Sequence, residues 1–325
     1  MIRKALLLYN PFSGQNALHA AKQAQAVFLD AGIDAEVAPT ISPSESGTQA
    51  KRAIARGWDA IFACGGDGTI RDIAEGLLGE DAVLGVIPSG TANVLAHDLG
   101  IPLDPAKAAR AALRAAPLRV GVGWVECVGL EGSAVKKCFL CVAGVGLDGH
   151  LFYKLNKGET RNLKLLVYLL GAFRAWLVSQ MVWFSVSASG GANEAQGTTQ
   201  LLAVRLSNFG GVLRQLAPGA SLLRDDLRIV LFKTSSRWRY LLYVLRGIFA
   251  VRRLPSKIEL SYSNEIRCEP RAGSVPVYVE ADGELFGKLP ARIWMVPDAL
   301  TLLAPEGFLA RQKQFALHGR SNPTE

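Results

Sequence analysis

The segment Cys64-Gly65-Gly66-Asp67-Gly68-Thr69 constrains this chain more than any other stretch. It follows a short apolar run, Ala60 to Ala63, that reads as a buried strand. It precedes Ile70-Arg71-Asp72-Ile73-Ala74-Glu75-Gly76-Leu77, which reads as the opening of a helix. Three glycines around one aspartate at a strand-to-helix turn let the backbone approach a ligand without Cβ interference. They also aim N–H groups at an anion. The helix start adds a partial positive charge. Asp67 then brings a carboxylate to a phosphate-sized opening, where it would repel phosphate unless a metal ion or an attacking hydroxyl stood between them. This combination points to phosphoryl transfer.

The flanking sequence repeats the strand-then-helix pattern. Ala5–Tyr9, Asp34–Ala38, Ala60–Ala63 and Val83–Ile87 read as strands, with helical patterns at Ala17–Ala31, Ser44–Arg56 and Ile70–Leu78. Such alternation predicts an α/β unit with a parallel sheet, whose ligands bind beyond the carboxyl ends of the strands. Three polar, glycine-bearing loops fall at those ends: Asn10-Pro11-Phe12-Ser13-Gly14, the GGDGT turn, and Pro88-Ser89-Gly90-Thr91-Ala92-Asn93. Together they make a plausible nucleotide crevice.

After a helix at Ala106–Ala115, Pro117 marks a boundary and the pattern changes. Short alternating strands dominate: Arg119–Glu126, Lys137–Val142, Val182–Ala188, Leu201–Leu206, Leu227–Phe232, Lys257–Ser261, Val277–Glu280 and Ile293–Val296. Helices are expected at Leu163–Gln180 and Arg237–Val251. The prediction is a second, mainly antiparallel domain. The boundaries read as 1–118, with about 305–325 returning to the first domain, and 119–304 for the second. There is no internal repeat, and the tail from Gln312 reads as loosely held.

At 325 residues the chain is long enough for two cores, and a half-hydrophobic composition excludes a disordered protein. The net charge of +8 fits a nucleotide, an anionic membrane surface or nucleic acid without choosing among them. The five cysteines, an odd number without framework spacing, suggest a reducing compartment. Cys138 and Cys141 lie in a strand-like run, where residues three apart face opposite ways, which disfavours a metal pair. The N-terminal apolar run is too short for a signal peptide. Leu163 to Val182 approaches membrane-spanning length, but Lys164, Gly171 and Arg174 argue for an amphipathic helix instead. No G-x-x-x-x-G-K-[ST] P-loop is present. Gly144-Val145-Gly146-Leu147-Asp148-Gly149 has the form of a dinucleotide fingerprint, yet lacks the acidic residue expected about 20 positions later.

Six motifs in order resemble the diacylglycerol kinase catalytic family, which includes bacterial soluble lipid kinases and the sphingosine and ceramide kinases. They are Asn10-Pro11-Phe12-Ser13-Gly14; Gly65–Thr69; Pro88-Ser89-Gly90-Thr91-Ala92-Asn93 running on to Pro102; Gly144-Val145-Gly146-Leu147-Asp148; Asn208-Phe209-Gly210-Gly211 with Leu216-Ala217-Pro218-Gly219-Ala220; and Asp282-Gly283-Glu284. More distantly the chain resembles NAD kinases. Three positions depart from the family pattern. Gly90-Thr91-Ala92-Asn93-Val94 stands for G-T-G-N-D, Asp72 for a customary Glu, and Asp225-Asp226-Leu227 lacks the glycine of D-D-G.

The resemblance implies a Rossmann-like parallel α/β domain and a C-terminal β-sandwich domain, with the active site in the cleft between them. It implies ATP as donor, Mg²⁺ as counter-charge and a long-chain lipid alcohol such as diacylglycerol as acceptor. On that basis Gly65, Gly66, Gly68 and Thr69 would cradle phosphates, and Ser89, Gly90, Thr91 and Asn93 would face them. Asn10, Ser13 and Thr40 would line the nucleotide side. Asp67 would orient Mg²⁺ or the acceptor hydroxyl, and Glu284 would be the general base with Asp282 beside it. A structural Mg²⁺ would draw on Leu222, Asp225 and Leu227. His150, after the fourth motif, could touch an acceptor head group, though an uninvolved histidine is the plainer reading. Two other functions compete: an NAD kinase, and a catalytically silent nucleotide- or lipid-binding regulator.

The Trp238–Arg253 pattern mixes aromatics with four arginines, as interfacial helices do, although a core-packing helix with solvated arginines is the plainer reading. With Leu163–Gln180 it could form a lipid access route. The expectation is a cytoplasmic protein bound peripherally to anionic membranes, with no nucleic-acid partner and with room for a homodimer.

Overall fold

The computed structural model describes residues 2–13, 15–147, 181–188, 196–210, 216–249 and 254–312. The chain divides into two units. One comprises Met1–Val122, Leu206–Asp225 and Val296–Glu325, the other Gly123–Arg205 and Asp226–Met295.

The first unit alternates β1 (Lys4–Tyr9), α1 (Gln15–Asp30), β2 (Asp34–Pro39), α2 (Ser46–Ala55), β3 (Ala60–Gly65), α3 (Asp67–Leu77), β4 (Val83–Pro88), α4 (Val94–Leu99) and α5 (Pro105–Ala112). The strands pair in parallel in the order β2–β1–β3–β4. β3 is buried at every residue, as a strand covered on both faces must be, whereas edge strand β2 keeps exposed positions. Because the strands run parallel, the loops after β1, β3 and β4 leave by the same sheet edge. The parallel sheet is as the sequence predicts. The helix α4 is not, because the sequence reading leaves Val94–Leu99 without an element.

The second unit is antiparallel throughout its described pairings. Its strands are β5 (Ala116–Gly129, from Gly123 onward), β6 (Ala134–Phe139), β7 (Val142–Gly146), β8 (Phe184–Ala188), β9 (Gln196–Thr198), β10 (Gln200–Val204), β11 (Leu227–Phe232), β12 (Ile258–Ser263), β13 (Glu265–Pro270), β14 (Tyr278–Ala281) and β15 (Glu284–Ala304, as far as Met295). A helix, α6 (Arg237–Ile248), connects β11 to β12. The pairings are β5–β6, β8–β9, β8–β13, β13–β15, β15–β14, β14–β7, β7–β10, β10–β11 and β11–β12. Residues two apart on each strand meet in one core: Val125 and Cys127, Ala143 and Val145, Leu201 and Ala203, Ile229 and Leu231, Ile266 and Cys268, Val279 and Ala281. That alternation is the signature of a sheet wrapped into a sandwich.

Three expectations need correction. Lys137–Val142 is two strands, β6 and β7, with the break at Leu140 and Cys141. The backbone N–H groups there leave the ladder to bind the Asp282 carboxylate. Ile293–Val296 is a fragment of the much longer β15. And the sequence places all of 119–304 in the second domain, whereas Leu206–Asp225 and the stretch from Val296 belong with the α/β unit. Ser207 and Asn208 are bound there by Asp98, and Thr301 and Leu302 pair in parallel with Val83 and Leu84 of β4. The expected helix at Leu163–Gln180, and Asp148 and His150, lie outside the described residues. Among the described residues no helix is long and apolar enough to cross a membrane.

Candidate functional site

In the first unit the two glycine loops are built against one another. β3 ends at Gly65, Gly66 is the extended N-cap of α3, and Asp67 opens the helix. The Ser89 N–H donates to the Gly65 carbonyl at 3.0 Å, so the β3–β4 pairing runs on into both loops. A Cβ on Gly90 would overlap the Gly66 Cα, so a side chain at position 90 would force the two loops apart.

Asp67 then ties the second loop down. One carboxylate oxygen accepts the Val94 N–H and the other the Leu95 N–H, each at 3.1 Å. These are the first amides of α4, where a carboxylate is favoured by the exposed N–H groups and the dipole. α4 gets no side-chain cap from its own N-cap residue, Asn93, which is left-handed at φ 47°. The Asn93 amide instead closes its own loop. Its oxygen accepts the Gly90 N–H at 2.9 Å, and its NH₂ donates to the Gly90 carbonyl at 2.8 Å. Asparagine tolerates that backbone better than most residues.

The remaining loop residues lie on the same unit. The Asn10 NH₂ donates to the Thr69 hydroxyl at 3.3 Å, and the Asn10 oxygen accepts the Phe12 N–H at 2.9 Å. The Thr40 N–H donates to the Tyr9 carbonyl, and the Thr40 side chain is buried. Ser13 ends a short turn of helix, Pro11–Ser13. Thr91 is exposed, while Ser89, Gly66, Asp67 and Gly68 are partly so. The N-terminus of α3 carries no side-chain cap, which leaves it suited to an anion. The structure thus brings Asn10, Gly65, Gly66, Asp67, Thr69, Ser89, Gly90 and Asn93 into one bonded assembly.

A polar network holds α4 in place, built on Asp98 and Asn208 from two of the motifs together with residues outside them. Asp98 is almost wholly buried, and one of its oxygens accepts the Ser207 N–H at 3.0 Å, the Ser207 hydroxyl at 2.7 Å and the Asn208 N–H at 2.9 Å. Gln312 donates to the Ser207 hydroxyl and accepts from Ser221. The Arg311 guanidinium donates to the Leu99 carbonyl at 2.6 Å, closing the other end of α4. The Asn208-Phe209-Gly210 motif therefore serves to hold α4. An acid inside a glycine-rich motif, followed downstream by an isolated Ser-Asn, was the available signal.

In the second unit, Asp282 and Gly283 form a two-residue hairpin between β14 and β15, with Ala281 opposite Glu284. Both turn residues have positive φ, 48° and 80°, as a type I′ turn requires. The Asp282 carboxylate accepts three successive amides, from Leu140 at 2.8 Å, Cys141 at 2.8 Å and Val142 at 3.0 Å. Its geometry is that of an anchor. Glu284 is exposed at the first position of β15. Glu280, which the sequence places at the end of a strand without a chemical role, is buried. It accepts the Gly283 N–H at 3.1 Å and fills the space that a Gly144 side chain would need.

A Mg²⁺ ion that arrives on nucleotide phosphates asks for one or two protein carboxylates. Asp67 fits that demand, since each of its oxygens accepts one amide and retains a second lone pair. Among the described residues no three His, Cys, Asp or Glu side chains stand together as a protein cage for a metal. Leu222 and Leu227 are buried and could offer only carbonyl oxygens, while Asp225 is exposed in the bend before β11.

The comparisons with known proteins agree with this layout. Residues 4–125 match the model of the diacylglycerol kinase catalytic domain, and residues 141–304 match that of the YegS C-terminal NAD kinase beta sandwich-like domain. The chain is 28% identical to the diacylglycerol kinase of Bacillus subtilis over 89% of this chain and 92% of that protein. It is 30% identical to a Pseudomonas putida protein named "Probable lipid kinase YegS-like", over 69% of this chain and 72% of that one. A crystal structure of a diacylglycerol kinase from Bacillus anthracis superposes with a TM-score of 0.67 at 20% identity, covering 94% of this chain and 98% of that chain, which shows a shared fold.

Proposed function

We infer the reaction from family: this chain belongs to the diacylglycerol kinase and YegS-like family of lipid kinases. The proposed reaction transfers the γ-phosphoryl group of ATP to the hydroxyl of diacylglycerol or a related long-chain lipid alcohol, in a reducing, cytoplasmic setting. The observation that carries the nucleotide half is the crossing of Gly66 and Gly90, locked by Asp67 onto α4. Phosphoryl transfer is mostly positioning and charge neutralisation, and a backbone-lined crossing pinned by a carboxylate supplies both.

The residue roles follow as proposals. The loop amides at Gly65, Gly66, Gly68 and Thr69 receive phosphates, opposite Ser89, Gly90, Thr91 and Asn93, with Asn10, Ser13 and Thr40 on the nucleotide side. Asp67 holds the second loop and offers its remaining lone pairs to a phosphate-borne Mg²⁺, which would neutralise charge on the transferring group. A structural Mg²⁺ at Leu222, Asp225 and Leu227 is part of the same proposal. Glu284 takes the proton of the acceptor hydroxyl, while Asp282, with three amides on its carboxylate, positions the turn that presents Glu284.

Transfer of radiolabelled phosphate from ATP, with a lipid extract and NAD offered side by side, tests this reading. Label should enter lipid. In Glu284→Gln, turnover should fall about 10²- to 10⁴-fold with ATP binding kept, the range for a lost general base. Label entering NAD instead, or a Glu284→Gln enzyme as fast as the parent, would overturn it. No turnover on any acceptor would favour a silent regulator.

A further inference from the structure

We propose that Glu280 is a positioning residue for Glu284, and that position 144 is a glycine in order to admit it. Glu280 acts through Glu284, so its role stands only if Glu284 is the base proposed for the acceptor hydroxyl.

The hairpin that presents Glu284 does not take its direction from the β14–β15 ladder alone. The register shifts by one residue between the Val279–Gly287 and Glu280–Leu285 pairs, so the ladder skips Phe286. Such a bulge bends a strand and re-aims what adjoins it. Only the pairs Glu280–Leu285 and Ala281–Glu284 lie between the bulge and the turn. Gly283, with the backbone freedom of a glycine, directly precedes Glu284.

The turn is fixed from elsewhere. The central N–H groups of a two-residue hairpin lie outside its ladder, and each must find water or protein. Here protein takes both. The Asp282 N–H donates to the Val142 carbonyl at 2.9 Å, and the Gly283 N–H donates to the Glu280 carboxylate at 3.1 Å. The Asp282 carboxylate is committed to the amides of Leu140, Cys141 and Val142. Glu280 therefore supplies a second carboxylate to the same hairpin, on the peptide that joins Asp282 to Gly283.

That contact is made at some expense. Glu280 is 3% exposed, and burying an acid costs stability that an apolar side chain in its place would not. It also needs a gap in the neighbouring strand. Gly144 lies opposite Glu280 in the β14–β7 ladder, and a Cβ there would overlap Glu280 Oε1. Gly144 is not among the glycines with positive φ, so its backbone does not ask for glycine; the carboxylate does. A buried acid and the glycine that accommodates it thus fix the Gly283 peptide, and with it the direction in which Glu284 leaves the turn.

Transfer of radiolabelled phosphate from ATP to diacylglycerol in detergent micelles tests this, with unfolding midpoints taken alongside. Glu280→Ala should lower kcat about 10- to 100-fold, the scale of a misplaced catalytic group, and leave the KM for ATP within about twofold. Glu280→Gln, which keeps an acceptor oxygen for the Gly283 N–H, should regain most of that loss. Gly144→Ala should lower kcat similarly by displacing the carboxylate, and Gly144→Ala/Glu280→Ala should fall no further than Glu280→Ala. In a Glu284→Gln background, adding Glu280→Ala should change kcat less than about twofold, because no base is left to aim. A merely structural role would lower kcat there by the same factor as in the parent. That outcome would overturn the proposal, as would losses that multiply in the Gly144→Ala/Glu280→Ala pair, or a Glu280→Ala enzyme as fast as the parent. If Glu280→Ala does not fold, Gly144→Ala in the two backgrounds carries the same comparison. A parent that labels no lipid would overturn the kinase reading, and a Glu284→Gln variant as fast as the parent would overturn the base; either takes this proposal with it.

Discussion

The Asp282 carboxylate accepts the Cys141 N–H at 2.8 Å, joining residues that are 141 positions apart in the chain. With the amides of Leu140 and Val142 on the same carboxylate, this contact ends β6, starts β7 and fixes the hairpin that carries Glu284.

Removing that anchor should be expensive. Hydrogen bonds to a charged acceptor contribute about 1.5–3 kcal/mol each and do not simply add, so Asp282→Ala should lose roughly 3–5 kcal/mol. Asp282→Asn keeps one acceptor oxygen and a side chain that tolerates positive φ, and should lose only about 1–2 kcal/mol. Urea unfolding of the two variants measures the difference. Equal and small losses would show that the three amides find other partners.

Asp98 should behave as a local latch. Asp98→Ala strands the Ser207 and Asn208 amides in a buried setting, at about 1–3 kcal/mol for each unsatisfied donor. The opening should be confined to Leu206–Asp225. Limited proteolysis should therefore cut within that segment in Asp98→Ala at protease levels that spare the parent. Cleavage distributed across the chain would mean that the latch supports the whole unit instead.

Much of this arrangement is legible in the sequence, and the rest is hidden for identifiable reasons. The apolar runs behind β1, β3 and β4 betray a parallel sheet because a strand covered on both faces has no polar side. Asp282-Gly283 betrays a hairpin because few residue pairs accept positive φ twice. α4 is hidden because Asp67, 27 residues upstream, supplies what its own N-cap does not. The break at Leu140 is hidden because its cause comes from the far end of the second unit. β15 is hidden because Pro290 and Pro297 interrupt its pattern, and β13 because only Ile266 and Cys268 face the core. Long-range carboxylate-to-amide bonds leave no periodicity to read.

The five cysteines are all free and buried. Burial pushes the Cys64 and Cys268 thiols far up from their ordinary value and raises Cys127 to about 11. Only the thiolate reacts, so these groups stay protonated and inert at neutral pH. A chromogenic disulfide reagent should find no fast-reacting thiol in the native protein and five after denaturation. Rapid native reaction of even one thiol would place a cysteine where a thiolate is stabilised.

The crossing of the glycine loops makes an asymmetric prediction. A methyl group on Gly66 would meet the Gly90 Cα at 3.3 Å, a contact that a shift of a few tenths of an ångström relieves. A methyl group on Gly90 would overlap the Gly66 Cα, and neither partner is a side chain that can rotate away. Gly66→Ala should therefore cost under about 1 kcal/mol, mostly as a poorer N-cap for α3. Gly90→Ala should cost about 1–3 kcal/mol as overpacking. The two should differ more in ligand binding than in stability, because separating the loops also pulls on Asp67 and the α4 amides it holds. Titration with ATP should show Gly66→Ala close to the parent and Gly90→Ala weakened about tenfold or more, the scale of a misplaced positioning group. Unfolding midpoints measured alongside separate the two effects. If Gly90→Ala binds ATP like the parent while losing stability, the crossing is a packing feature of the α/β unit, and the nucleotide lies elsewhere.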